Sequence, residues 1–481
     1  MNVLDAFIIG IPAVAACGSI LIPSRIGRPL TACAGLVTAA CIIVAAISTS
    51  HHVGGRDALT ALFLLPVAIV YGAVGLYSYW YVVAESPEES AGEKYRREFL
   101  ALTNAFACVE AVVPLITNMA GMWVALEVTT IVAALLVRLQ GTAAALEAAW
   151  KYILIASCGL ALGLVAVIIL YSAGVQAFGT HYSPEWSSYI KVARELDPDG
   201  VRLAFLFALI GFGTKMGLAP MHTWLPDAHG AGPTPTSAML SGVVLSDAAY
   251  VILRFTAISN VALGPTVGQR MFFAVGLLSL FVAAFFLLQQ RDIKRMLAYS
   301  SIEHMGVVAI GLGFGAPLAI AGALLHAVNH SASKSLAFFA AGRMADRYET
   351  REIAGIHGAV DALPVSGTFF VAAALSLAGM PPFGIFRSEL MILTAGFASS
   401  RWIVAGIALL LLLVAFAGIT RWVTATTVGS APEAIERGEH APLPLIGMAL
   451  GFLVVLGLGI GVPVGLQTLL SDATRVLGVA P

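Results

Sequence analysis

The sequence predicts an all-α polytopic membrane protein with about fourteen transmembrane helices. Of its 481 residues, 59% are hydrophobic and 11% are charged, whereas soluble domains are typically about 25% charged. Segments long enough to cross a bilayer, which takes about 20 apolar residues, recur along the whole chain. These predicted spans lie near 4–22, 30–48, 58–84, 99–119, 120–138, 148–171, 202–219, 235–259, 271–289, 293–313, 316–341, 365–395, 402–426 and 443–470.

Two of the predicted spans are interrupted. The seventh runs into Pro220 and Pro226, and the twelfth contains Pro381-Pro382-Phe-Gly384. Interrupted helices at corresponding places in two halves of a chain are typical of inverted repeats. We therefore expect two inverted five-helix repeats, spans 4–8 and 9–13, each with a broken helix. The regions expected are 1–98 with spans 1–3, 99–260 with the first repeat, 261–428 with the second repeat, and 429–481 with span 14.

Lysine and arginine are divided unevenly between the connections. Those after odd-numbered spans hold residues such as Arg25, Lys94, Arg295 and Arg351, and those after even-numbered spans hold fewer. Because basic connections favour the cytoplasmic side, we expect both termini outside the inner (cytoplasmic) membrane of a bacterial or archaeal cell.

The net charge and the cysteines exclude two further kinds of function. The net charge is −1, so no global field favours nucleic acid as a partner. The five cysteines form no C-x-x-C pair, which excludes most metal and iron–sulfur frameworks built from this chain alone.

Charged residues inside the predicted spans are the main functional signal. Lys215 lies in the seventh span, where a charge at mid-membrane costs about 2.5–3.5 kcal/mol, so such residues are interpreted as functional. A buried lysine can take up and release a proton, whereas arginine is effectively always charged. Glu127, an isolated carboxylate in the fifth span, is the expected ion-pair partner of Lys215. The alternative is a static pair that braces two helices.

Two further charges are less easily assigned. Lys151, at the start of the sixth span, either extends to the membrane interface or lies on a proton route. Asp247, in the eighth span, is predicted to relay protons, and Arg254 lies two helical turns along on the same face.

The eleventh span carries His326, His330 and Lys334 at a spacing of four, which places them on one helix face over about 12 Å. A row of titratable groups inside a membrane indicates a proton relay. Two histidines at this spacing could also bind zinc, but no third ligand accompanies them in the segment. Packed structural histidines are the remaining alternative.

Three other residues extend this row. Glu303 and His304 follow Tyr299-Ser-Ser in the tenth span, and Glu389 lies just beyond the Pro381-Pro382 break. Glu389 either passes protons to one surface or caps a broken half-helix. No nickel, haem, flavin or quinone site can be assigned, so no catalytic redox site is expected here.

These residues lie in strings that resemble the antiporter-like membrane subunits of respiratory complex I and of Mrp-type sodium/proton antiporters. The strings are Lys215-Met-Gly-Leu-Ala-Pro-Met-His-Thr-Trp-Leu-Pro-Asp227, Ala231-Gly-Pro-Thr-Pro-Thr-Ser-Ala238, Asp292-Ile-Lys-Arg-Met-Leu-Ala-Tyr-Ser300 and Leu377-Ala-Gly-Met-Pro-Pro-Phe383. The resemblance covers roughly residues 60–425. Within the family, Trp150-Lys-Tyr152 and Tyr299-Ser-Ser-Ile-Glu-His-Met-Gly306 are most similar to the hydrogenase-4 component F branch, found in formate hydrogenlyase and related group 4 nickel–iron hydrogenases.

The resemblance implies the fold, the roles and the partners. The family has fourteen core helices with two inverted repeats. Glu127 matches its glutamate on the fifth span, Lys215 its central lysine, and Lys334 with the two histidines its relay on the eleventh span. Glu389 falls where the family has a lysine or a glutamate. The partners implied are other membrane and peripheral subunits of a hydrogenase or complex I-like assembly, which would hold nickel–iron and iron–sulfur centres.

Two departures from the family matter. Asp247 stands where several members have a lysine, while others have a histidine at the position of Ser241. This reversal of charge changes how protons are handed on, or removes pumping altogether. The chain also ends soon after span 14, without the long lateral helix of one complex I subunit.

The function predicted is a proton-translocating membrane subunit that couples redox chemistry in its partners to ion movement. An Mrp-type subunit exchanging sodium for protons is one alternative, and a related subunit coupled to inorganic-carbon uptake is another. In a third, the chain is a non-pumping scaffold whose charges only hold helices together.

Overall fold

The computed structural model describes residues 2–53, 56–84, 89–179, 182–439 and 442–478, and they are almost entirely helical. The first half contains α1 Val3–Leu21, α2 Ser24–Ser50, α3 Ala58–Ala84, α4 Glu89–Leu115, α5 Met119–Arg138, α6 Ala143–Phe178, α7 Trp186–Val192, α8 Pro198–Met216, α9 Trp224–Ala231, α10 Thr234–Met239 and α11 Leu245–Leu263. The second half contains α12 Thr266–Leu287, α13 Ile293–Phe314, α14 Pro317–Tyr348, α15 Ala359–Ala362, α16 Pro364–Leu377, α17 Gly384–Ala398, α18 Trp402–Thr427, α19 Pro442–Ile460 and α20 Val464–Val476.

The predicted all-α membrane class is confirmed. Eleven helical segments of the described ranges are long and apolar enough to cross a bilayer. The other predicted spans coincide with α8 and α9, with α14, and with α16 and α17, which are broken or carry the buried charges. Several boundaries differ from the predicted ones, and the largest difference at a helix start is that of α4, which begins at Glu89 rather than near residue 99.

Contacts between connections separate the molecule into two ends. At one end, Asp292 bridges to Glu352 and Gln140 donates to Tyr81. At the other, Asn118 bridges to Glu185. The contacts at the first end involve connections that come after odd-numbered predicted spans. Those at the second end involve connections that come after even-numbered spans. We call them the basic end and the opposite end.

The interior is built from α3, α10, α11 and α13. The 18-residue windows of α10–α11 and of α13 are 100% buried, and that of α3 is 89% buried, whereas the window of α18 is 28% buried. Around this centre α1, α2 and α18 present apolar side chains outward, as lipid-facing helices do. Charged side chains in the central helices are therefore surrounded by protein.

Both predicted breaks are present. The helix α8 ends at Met216, where Gly217 takes a left-handed conformation with φ 82° that a residue with a Cβ rarely adopts. The second break separates α16 from α17. Between α10 and α11, Leu240–Val244 form a π-helical segment, a feature frequent at functional sites.

Candidate functional site

Lys215 lies fully buried in the last turn of α8. The C-terminal end of a helix favours a cation, because the unpaired carbonyl groups carry partial negative charge. Its Nζ donates to Thr130 Oγ1 at 2.6 Å and to Tyr152 OH at 2.7 Å. The Tyr152 ring centroid is 5.0 Å from the same nitrogen, so α5 and α6 together hold the ammonium.

The expected ion pair between Glu127 and Lys215 is not formed in this structure. Glu127 Oε1 instead accepts from Ser157 Oγ at 2.6 Å. Its Oε2 is buried without a hydrogen-bond partner among the described residues. The prediction was wrong about the contact because the lysine reaches two hydroxyl groups on α5 and α6. Glu127 remains near enough to Lys215 to interact with it electrostatically.

Two other carboxyl groups complete this first cluster. Asp247 on α11 and Glu110 on α4 are fully buried, and no hydrogen-bond partner of their carboxyl oxygens lies in the described ranges. Both are near enough to interact electrostatically with Lys215. Glu110 was missed in the sequence, although Phe106-Ala-Cys-Val-Glu110 is an isolated carboxylate in an apolar run, as Glu127 is.

Two polar contacts link the halves of the chain next to Asp247. Ser241 Oγ lies 2.8 Å from Ser301 Oγ of α13. Ser331 of α14 donates to the carbonyl of Gly242. Both Ser241 and Gly242 belong to the π-helical segment. Ser241 is therefore part of a contact between the two predicted repeats.

A second cluster lies on α13, α14 and α17. Lys334 is fully buried, and its Nζ donates to the Leu297 carbonyl at 2.7 Å and to the Ser300 hydroxyl. Glu303 is 2% exposed and is electrostatically coupled to Lys334. This arrangement corresponds to the first cluster, since hydroxyl and carbonyl groups hold the ammonium and a carboxyl group lies nearby.

The three histidines of this second cluster lie together. His304 Nδ1 is 3.1 Å from His326 Nε2, and His326 Nδ1 is 3.0 Å from Ser388 Oγ on α17. The ring centroids of His304 and His330 are 5.4 Å apart. Neither ring nitrogen of His330 has a hydrogen-bond partner in the part of the chain described. Glu389 lies next to this group and is 9% exposed.

Lys151 lies apart from both clusters. Its side chain is 37% exposed and pairs with Glu147 at 2.5 Å and with Asp227 at 3.6 Å. These residues line a polar opening at the basic end with Arg295 and Arg351. Its partial exposure and its two ion pairs favour the interfacial interpretation, and a place for Lys151 on a proton route stays a prediction.

His229 is a second residue that the sequence reasoning missed. It lies on α9, fully buried and stacked on Phe338 with ring centroids 5.1 Å apart. It interacts electrostatically with Lys294 and Lys334. Lys294 also lines a polar opening at the basic end. His229 lies between the strings that end at Asp227 and begin at Ala231, and its polar character inside an apolar region was the signal that could have found it.

The chain is similar in sequence and in fold to known membrane proteins. Residues 117–415 match the family model of the NADH:quinone oxidoreductase/Mrp antiporter transmembrane region. A hydrogenase-4 component F homolog of Methylacidiphilum infernorum is 34% identical over 410 residues, 85% of each chain. A chain of the membrane-bound sulfane sulfur reductase, an archaeal respiratory membrane complex, superposes with a TM-score of 0.85 at 21% identity, covering 99% of this chain and 98% of the other. A chain of the Mrp complex of Dietzia sp. DQ12-45-1b gives 0.82 at 17% identity, covering 99% and 97%.

Proposed function

We propose a function from the premise that this chain belongs to the NADH:quinone oxidoreductase/Mrp antiporter family. It is the proton-translocating membrane subunit of a membrane-bound hydrogenase complex of the group 4, formate hydrogenlyase type. The observation that carries this proposal is the pair of buried clusters joined through the π-helical segment. A static scaffold would not require unpaired carboxyl groups and imidazoles at its centre, since each is costly to bury.

The proton path follows the order of the clusters. Lys215 exchanges its proton with Asp247 or Glu110, the nearby carboxyl groups of the first cluster. The Ser241–Ser301 hydroxyl pair carries it towards Lys334 and the histidines. Glu389 delivers it to one surface. The distance between Glu127 and the Lys215 ammonium controls when this transfer occurs, because opposite charges attract more strongly when they are close.

In this proposal, redox reactions in the partner subunits provide the free energy for proton transfer. The relative of M. infernorum bears the name of a hydrogenase component and matches over 85% of its length, which supports the hydrogenase assignment. The partner subunits then hold the nickel–iron and iron–sulfur centres. A charge change in the adjoining subunit moves Glu127 or Lys215 and triggers transfer. The basic end faces the cytoplasm, and both termini face outside.

Subunit identification separates this assignment from its alternatives. Gentle purification of the native complex followed by mass spectrometry should identify hydrogenase and iron–sulfur subunits. Recovery with small antiporter subunits alone would replace the assignment with sodium/proton exchange of the Mrp type.

Proton movement is tested separately in sealed vesicles. Lys215→Ala should abolish proton release while the complex still assembles, and Lys191→Ala, an exposed lysine outside both clusters, serves as the control. A Lys215→Ala complex that turns over and releases protons at the wild-type rate would overturn the path. Loss of assembly in Lys215→Ala but not in Lys191→Ala would favour the scaffold.

A further inference from the structure

Three side chains of the second cluster have donor atoms close enough to share one metal ion. His304 on α13, His326 on α14 and Glu389 on α17 each offer one donor atom, and these atoms lie within 4.8 Å of one another. All three residues are buried. In the sequence, the eleventh span offered two histidines as metal ligands, His326 and His330, but no third ligand. In the fold, two further ligands come from other helices, and they lie close to His326 rather than to His330.

The separations suit a small tetrahedral ion. Zinc–nitrogen bonds of about 2.0–2.1 Å in a tetrahedron place neighbouring donor atoms about 3.3 Å apart. His304 Nδ1 and His326 Nε2 are 3.1 Å apart. The Glu389 donor atom lies within 4.8 Å of the other two donor atoms, so it has to approach the ion more closely to complete the site. Two imidazoles and a carboxylate also form the protein ligand set of several zinc enzymes.

The surroundings of His326 match those of a metal ligand. A ligating histidine almost always bonds through its other ring nitrogen to a second group, which fixes the ring orientation. The Nδ1 of His326 lies 3.0 Å from Ser388 Oγ, which leaves Nε2 for the ion. Ser388 in turn donates to the Ile385 carbonyl at 2.9 Å. Ser388 therefore fixes the orientation of the His326 ring.

The chemistry of the donors selects the class of ion. Imidazole nitrogen suits zinc, copper, iron and nickel, whereas sodium, magnesium and calcium prefer oxygen donors. Glu303 adds a carboxyl group that interacts electrostatically with Glu389. It offsets part of the positive charge that a divalent ion would bring into the membrane interior.

We propose that His304, His326 and Glu389 form a binding site for a divalent transition-metal ion of the zinc type. The ion would use the lone pairs that receive protons on these three side chains. If the proton path proposed above is correct, occupancy stops transfer through the second cluster, so zinc is an inhibitor of this subunit. Binding itself does not depend on that path.

Zinc binding to the purified complex tests the site directly. The complex, prepared without a polyhistidine tag and treated with a chelator, is dialysed against Zn²⁺, and bound zinc is counted per chain. Wild type should bind one more zinc ion than His326→Gln and one more than Glu389→Gln. His330→Gln is the matched control, because that histidine is equally buried one turn along α14. Equal zinc content in wild type and the first two variants would overturn the proposal.

X-ray absorption at the zinc edge gives a result that does not depend on the variants folding. The difference between zinc-loaded and chelator-treated wild type should show two imidazole nitrogens at about 2.0 Å. Sulfur ligands or oxygen ligands alone would refute the site. Zinc that binds with this signature but leaves proton release unchanged would retain the site and contradict the proton path.

Discussion

The contact between Lys215 and Tyr152 allows a quantitative test of the first cluster. Tyr152→Phe removes one hydroxyl group and keeps the ring, which packs on Trp224 with centroids 4.6 Å apart. The ammonium loses its 2.7 Å hydrogen bond to that hydroxyl and keeps the 2.6 Å bond to Thr130. The substitution therefore preserves the fold and removes one of the two hydrogen bonds of the Lys215 ammonium.

The expected effect follows from the single lost bond. A hydrogen bond to a charged group contributes about 1.5–3 kcal/mol, which corresponds to roughly ten- to 150-fold in an equilibrium constant. Because each proton passes through this ammonium in the proposed path, the transport rate falls by up to the same factor.

The assay is acidification of sealed vesicles, followed with a pH-sensitive dye and normalised to redox turnover of the complex. Tyr189→Phe is the matched control, because Tyr189 is also buried and donates to Tyr182 at 3.3 Å outside both clusters. Transport by Tyr152→Phe at the wild-type rate, in a complex that assembles normally, would refute the role assigned to Lys215.

Three other predictions concern different parts of the molecule. Asp57→Asn removes the carboxylate that lies 2.8 Å from the buried Arg254 guanidinium. Breaking a buried ion pair costs about 3–5 kcal/mol of stability. Because Asp57 is 23% exposed, we expect a loss near the lower end of this range, measured as a reduced Tm. Glu110→Gln should leave Tm unchanged but slow proton release by about 10²-fold, the lower range for a proton-transferring side chain. The backbone N–H of Ala431 holds the pKa of the Asp361 carboxyl group below its usual range. This contact stabilises the connection around Ala431 above about pH 4, and the stabilisation is lost as the pH falls through the lowered pKa. Hydrogen exchange in this connection should therefore rise in acid in the wild type and not in Asp361→Asn.

Each of these has a result that would contradict it. An unchanged Tm for Asp57→Asn would mean that water solvates the Arg254 guanidinium. Normal transport by Glu110→Gln would place that residue outside the path. Acid-dependent exchange that persists in Asp361→Asn would assign the pH response to another group.

The helices and most of the buried titratable residues could be predicted from the sequence because the membrane imposes a simple rule. A span needs about 20 apolar residues, so a charge within one is conspicuous, as Lys215 and Lys334 are. The position of the break after Lys215 was also predictable, because Pro220 and Gly217 disfavour a continuous helix.

Side-chain contacts could not be predicted in the same way. Whether Lys215 meets Glu127 or Tyr152 depends on how α5, α6 and α8 are rotated against each other, which hydropathy does not report. Lys151 looked like a member of the buried row because α6 was expected to begin near residue 148. The helix starts at Ala143, and its first turns lie in the polar opening. The grouping of His304 with His326 likewise required three helices to be placed together.

The length of α6 has a consequence for the bilayer around the protein. Its 36 residues extend about 54 Å at 1.5 Å per residue, whereas a hydrocarbon core is about 30 Å thick. Such a helix tilts or protrudes, and its inclination depends on membrane thickness. Tyr152 and Ser157, which hold the Lys215 and Glu127 side chains, both belong to this helix. The choice of lipid is therefore an experimental variable in any measurement of proton movement by this protein.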